Sequence, residues 1–137
     1  MAPHTLTYTR NVFLPLTTVC HNRCGYCIFR TPVREGCLME QSEVEAILAA
    51  GASAGCTEAL FTFGERPGKE PGFTDLILHH GYPDIIDYCY DLCLQSIEHG
   101  LLPHTNAGIL TSDEMERLRE VNASMGLMLE TTADLPA

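Results

Sequence analysis

The chain has 137 residues, 45% of them hydrophobic and 19% charged, enough for one globular domain with its own core. A formal charge of −10 argues against a nucleic-acid partner, since a phosphate backbone demands a basic patch. No apolar run approaches the roughly 20 residues that cross a bilayer; Met1–Arg10 lacks a leader pattern and the seven cysteines are odd in number, so a cytoplasmic protein with reduced thiols and no membrane partner is expected.

Val12–Thr17 is predicted as the first strand, and Pro15 inside it points to a sheet edge because proline removes a ladder hydrogen bond. A loop follows from about Thr18 to Met39, punctuated by Pro32 and Gly36. Ser42 with Glu45 reads as a capping box opening a helix. Val44, Ile47, Leu48 and Gly51 give that helix one buried stripe, and Gly55 is its expected stop. Ala59–Phe63 is a second, buried strand, running into Gly64-Glu65-Arg66-Pro67. Lys69–Pro83 is rich in Gly and Pro and reads as a surface connection.

The clearest helix is Asp84–His99, with Ile85, Cys89, Leu92 and Ser96 on one face and Ile86, Cys93 and Ile97 widening it. Gly100 fits the position just past its C-cap. Leu101 to Asn106 is a third strand, Thr111 with Glu114 caps a short helix, and Met125–Glu130 is a fourth strand. Strands alternating with helices in this order predict an α/β fold with a parallel sheet and right-handed crossovers. In α/β barrels function gathers at the carboxyl ends of strands. The conspicuous polar groups fall there: the cysteines after strand one, Glu65, Asn106 and Glu130.

The chemistry concentrates in Cys20-His21-Asn22-Arg23-Cys24-Gly25-Tyr26-Cys27. Three thiols are one ligand short of a closed tetrahedral zinc site. They suit a cubane iron–sulfur cluster with one iron left open, although four cysteines are the usual ligation. Buried or zinc-binding cysteines are the alternative. Cys89 and Cys93, one helical turn apart on an apolar face, read as core residues. Cys37 and Cys56 have no partner at ligand spacing, His79-His80 reads as solvent-facing, and His21 is not needed as a ligand.

The Cys-x3-Cys-x-aromatic-Cys pattern after a first strand resembles the radical S-adenosylmethionine (SAM) enzymes. Phe63-Gly64-Glu65-Arg66-Pro67 is similar to their turn after the second strand, but it inserts Arg66 and lacks a paired glycine. Longer segments, Leu6–Thr17, Glu58–Pro67, Gly100–Gly108 and Ser124–Thr132, resemble the 7,8-didemethyl-8-hydroxy-5-deazariboflavin synthase family across about Leu6–Thr132.

That resemblance implies a 4Fe–4S cluster on Cys20, Cys24 and Cys27, with SAM as cofactor near Tyr26, Gly64, Glu65, Asn106 and Glu130. For Glu65 an ordinary surface turn is the alternative, for Tyr26 packing over the cluster and for Glu130 a solvated strand-end acid. Asn106 and His104 face the substrate or SAM or else have a hydrogen-bonded core role, and Tyr8 and Arg10 match with no role assigned. It implies a lyase of coenzyme F-420 biosynthesis acting on a hydroxybenzyl–ribityl–uracil adduct with loss of ammonia, served by an electron donor. It further implies a partial barrel of six βα units, of which this chain holds about three and a fourth strand. Residues 1–137 therefore read as a single, truncated core domain, with a companion adduct-forming synthase or a missing C-terminal half as partner. An open sheet of this kind leaves an apolar edge and inner face exposed. A noncatalytic cluster- or SAM-binding module and a zinc-binding structural domain stay open beside the lyase.

Overall fold

The computed structural model describes residues 6–34, 37–128 and 132–133. Its elements run β1 (Asn11–Thr17), α1 (Gln41–Ser53), β2 (Glu58–Phe63), α2 (Phe73–His79), α3 (Ile85–Glu98), β3 (Leu102–Asn106), α4 (Ser112–Arg119) and β4 (Ser124–Gly126). The four strands form one parallel sheet in the order β1-β2-β3-β4. This is the α/β alternation expected, and β1 with its Pro15 lies at the edge.

Register divides the sheet into two unlike faces. Leu14, Phe61 and Thr105 align across β1, β2 and β3, and all three are buried. They share one core with Val44 and Leu48 of α1, Cys89, Leu92 and Cys93 of α3, and Leu118 of α4. The neighbouring row, Phe13, Leu60 and His104, points the other way, and there Phe13 and Leu102 are 51% and 59% exposed. Parallel sheets are ordinarily covered on both faces. Helices on one face only, with an apolar opposite face, are the layout of a barrel segment whose bare side lines the interior.

The edge of β1 is partly covered. Pairing shifts between Pro15 and Thr17, and beyond the shift Leu38 bridges Thr17 while Met39 N–H donates to the Leu16 carbonyl at 2.8 Å. That pairing carries the chain straight into α1 at Gln41. The helix is therefore capped earlier than Ser42 and Glu45 suggest: the Glu43 carboxylate accepts the Glu40 N–H at 2.9 Å, and Glu45 instead meets His99 at 2.9 Å. Val44, Leu48 and Gly51 are buried as the stripe predicts, with Ile47 half-buried.

Gly51 sits where α1 crosses β1, and a Cβ there would overlap Val12 Cγ1. Gly51→Ala should lower stability by about 1–3 kcal/mol through overpacking, despite the better helix propensity of alanine. A urea midpoint at or above wild type would show that β1 and α1 separate without cost.

The Lys69–Pro83 stretch departs from expectation. A 3-10 turn at Pro67–Lys69 leads into α2, which buries Phe73 and Ile77. One i,i+4 apolar pair suffices to dock so short a helix, and the surrounding Gly and Pro concealed it. For α3, Asp84 is the N-cap, its carboxylate accepting from Ile86 and Asp87 N–H at 2.8 and 2.9 Å, and Gly100 follows the helix with φ 75°. The expected face is buried except Ile97, which is 49% exposed. Tyr88 is buried in addition, its hydroxyl donating to the Met39 carbonyl at 2.6 Å.

Thr111 and Glu114 cap α4 reciprocally as expected. Strand β4 covers Ser124–Gly126, earlier and shorter than Met125–Glu130; Glu130 lies outside the described residues. Among the described residues, no helix is long and apolar enough to cross a membrane.

Candidate metal centre

The loop after β1 is fastened at its base by threonines. Thr17 Oγ1 donates to the Cys37 carbonyl at 2.7 Å and accepts the Val19 N–H at 3.1 Å. Thr18 N–H donates to the same carbonyl at 3.0 Å, and the Thr18 and Thr31 hydroxyls lie 2.5 Å apart. These bonds close the neck of the loop, so its tip projects from the carboxyl end of β1. On the tip, Cys20 is half-buried while Cys24 and Cys27 are exposed, and all three thiols are free. Cys27 N–H donates to the Cys24 carbonyl at 3.1 Å, closing a turn that leaves Tyr26 66% exposed.

The end of β2 meets this loop at Cys20. Gly64 lies so close that a Cβ there would come within 2.8 Å of both Cys20 Sγ and the Val19 carbonyl oxygen. Next along the chain, Glu65 N–H donates to Cys20 Sγ at 3.2 Å, and the Glu65 carbonyl accepts His21 N–H at 2.7 Å. Hydrogen bonds to a ligating sulfur stabilise its thiolate and tune a cluster's potential. The Glu65 carboxylate turns to the next loop, where Oε2 accepts Ile109 N–H at 2.8 Å. Glu65 therefore joins the ends of β1, β2 and β3.

Arg66, the inserted residue, adopts φ 41°, a left-handed conformation costly for a side chain-bearing residue. Its guanidinium donates to Glu114 Oε1 at 2.6 Å, with Glu65 Oε1 3.6 Å away. The hydrogen bond to Glu114 pushes the Arg66 pKa up. Burial works to raise the Glu114 carboxyl, but the bonds from Arg66 and Thr111 outweigh it and the net shift is downward. The insertion is thus held in place by the same glutamate that caps α4.

Beyond the cysteines, Glu70 approaches the loop from the β2–α2 connection. Its Oε1 lies 3.1 Å from His21 Nδ1, and its Oε2 accepts from Arg30 Nη2 at 2.9 Å. Arg30 Nε also donates to the Cys20 carbonyl at 2.8 Å. The hydrogen bond with His21, aided by the Arg30 charge and opposed by desolvation, holds the Glu70 carboxyl below its usual range. No spacing signal marked this group: Glu70 stood in a stretch read as surface connection, and His21 was set aside.

Asn106 ends β3 half-buried, its carbonyl accepting from the Thr62 hydroxyl at 3.0 Å. His104 Nδ1 lies 2.6 Å from Ser124 Oγ on the same bare face. Cys89 and Cys93 are buried with sulfurs 3.6 and 3.8 Å from Thr105 Oγ1, in keeping with a core role. A cavity of about 160 Å³ opens between Arg66, Lys69, Phe73, Ile86, Ile109 and Glu114, on the helix side of the sheet; the cysteine loop contributes nothing to its lining.

Among the described residues, no three His, Cys, Asp or Glu side chains are placed to hold a single metal ion. A zinc ion requires such convergence, with each sulfur about 2.3 Å from one point. A cubane also gathers its thiolates around one centre, but each takes a different iron, so the sulfurs stand farther apart. Three free thiols on one projecting loop, one already receiving a backbone N–H, suit an iron–sulfur cluster in donor type, with one iron left open.

The radical SAM superfamily profile matches residues 14–135. The chain is 66% identical over 137 residues to the 7,8-didemethyl-8-hydroxy-5-deazariboflavin synthase of Methanoregula boonei, covering 100% of this chain and 42% of that protein. Synthases of the same name from Methanoculleus marisnigri and Methanosphaerula palustris are 68% and 65% identical, each covering 96% of this chain and 40% of the relative. The chain spans about two fifths of the length of these relatives.

Proposed function

The chain belongs to the radical SAM superfamily, and from that premise we propose that it carries the cluster- and SAM-binding part of a deazariboflavin-forming lyase. The observation that carries the reading is the projecting Cys20–Cys27 loop, held against Gly64 and Glu65 at the carboxyl edge of the sheet. Cys20, Cys24 and Cys27 would hold a 4Fe–4S cluster, with Tyr26, Gly64, Glu65, Asn106 and Glu130 toward SAM. When bound, cluster and SAM supply a one-electron cleavage that yields a 5′-deoxyadenosyl radical, the reductant coming from an external donor.

The protein's own contribution is placement. Gly64 and Glu65 fix Cys20, and the bare face bearing Thr62, His104 and Asn106 offers polar groups to a substrate in the barrel interior. The substrate is proposed to be the hydroxybenzyl–ribityl–uracil adduct, closed to the deazaflavin with loss of ammonia. An oxygen-sensitive cluster suits the reducing cytoplasm.

A second reading rests on the exposed Phe13 and Leu102: the chain binds cluster and SAM but needs another polypeptide over its bare face before it reacts. Anaerobic reconstitution with iron and sulfide, then dithionite and SAM, separates the two. Release of 5′-deoxyadenosine and methionine is expected for the lyase. A loaded cluster that leaves SAM intact supports the second reading, and uptake of zinc without any cluster overturns both.

A further inference from the structure

We propose that Glu70 is the positioning residue that presents the cysteine loop, gripping it on both sides through His21 and Arg30. The inference rests on the cluster reading of that loop and assigns a role outside the three thiols. His21 follows the first cysteine directly, and Arg30 lies just past the third. One carboxylate reaches both, one oxygen to each, at 3.1 and 2.9 Å. Arg30 in turn donates to the Cys20 carbonyl at 2.8 Å, so the two ends of the ligand segment are tied to one another and to Glu70.

The carboxylate can act as an anchor because its own backbone is fixed. Glu70 N–H donates to the Pro67 carbonyl at 2.9 Å, and the Glu70 carbonyl accepts Phe73 N–H at 3.1 Å. Phe73 is 1% exposed in the core, so α2 serves as the footing for the grip. A carboxylate side chain only 13% exposed requires partners, and here the partners are the loop. Cys24 and Cys27 lie on the exposed tip between these ties. Their placement relative to Cys20 depends on how firmly the flanks are held.

The test compares the 137-residue chain with its Glu70→Ala, Glu70→Gln and Arg30→Ala variants, with far-UV circular dichroism as the fold control. In the metal-free protein, alkylation of each cysteine by iodoacetamide is followed by mass spectrometry. After reconstitution, iron release to a chelator and the electron paramagnetic resonance spectrum of the reduced cluster are recorded. Glu70→Ala and Arg30→Ala are expected to speed Cys20 alkylation and iron release about tenfold and to broaden the spectrum, as loss of a supporting contact does. Glu70→Gln, which keeps an acceptor for Arg30 and reaches His21, should recover most of the wild-type behaviour.

Wild-type alkylation and iron release in Glu70→Ala would overturn the proposal. Should the wild-type chain load no cluster, the cluster reading fails while the alkylation rates still decide the role of Glu70. Should Glu70→Ala not fold, the Arg30→Ala and Glu70→Gln pair decides it by the same measurements.

Discussion

Cys24→Ala and Cys27→Ala are expected to lose the reconstituted cluster while leaving the metal-free protein as stable as wild type; Cys20→Ala should lose both. The asymmetry follows from the surroundings of each sulfur. Cys24 and Cys27 are exposed, and exposed side chains away from special features usually change stability by less than about 0.5 kcal/mol. Cys20 Sγ instead accepts the Glu65 N–H and packs on Gly64. Alanine there leaves that half-buried donor without its partner, at a cost of about 1–3 kcal/mol. Iron retention should fall at least about tenfold in all three, since even supporting residues of metal sites cost that much. Iron content and urea midpoints, measured on the same preparations, check both halves. A Cys24→Ala protein with full iron would remove Cys24 from the ligand set.

What sequence showed and what it concealed divide by the range of the interaction. Caps and helix faces are local. Thr111 with Glu114, and Gly100 after α3, were legible because each works within a turn of its own backbone. The cap of α1 was misplaced by two residues because Leu38 and Met39 pair with Thr17 and Leu16 of β1, contacts remote in sequence, and that pairing decides where the helix starts. Helix α2 was missed since it is only seven residues long, with an apolar stripe of Phe73, Leu76 and Ile77, and is flanked by Gly and Pro. The thiols were plain from their spacing. The Glu70 contacts to the loop were not, because Glu70 lies 40 residues from Arg30 and 49 from His21. Glu65 was singled out by its motif, yet its links to Cys20, His21 and Ile109 exist only once three strand ends are brought side by side.

Gly64→Ala tests the closest of those links. Gly64 does not occupy the left-handed region, so alanine adds no backbone penalty and the effect is purely steric. The new methyl group would overlap Cys20 Cβ and lie 2.8 Å from Cys20 Sγ and from the Val19 carbonyl oxygen. Neither neighbour is the free end of a flexible chain, and the paired residues Thr17 and Phe63 hold both strand ends just before the contact. The Cys20 segment must therefore move outward, which breaks the Glu65 N–H bond to Sγ and the His21 N–H bond to the Glu65 carbonyl. A loss of about 1–3 kcal/mol is expected from overpacking, together with a roughly tenfold fall in retained iron. Gly68→Ala is the control, since a Cβ at that position meets nothing within 4 Å. If Gly64 is small only so that SAM can approach the backbone, Gly64→Ala will keep its iron and lose SAM binding. If it is small so that Cys20 can take its place, the iron goes first.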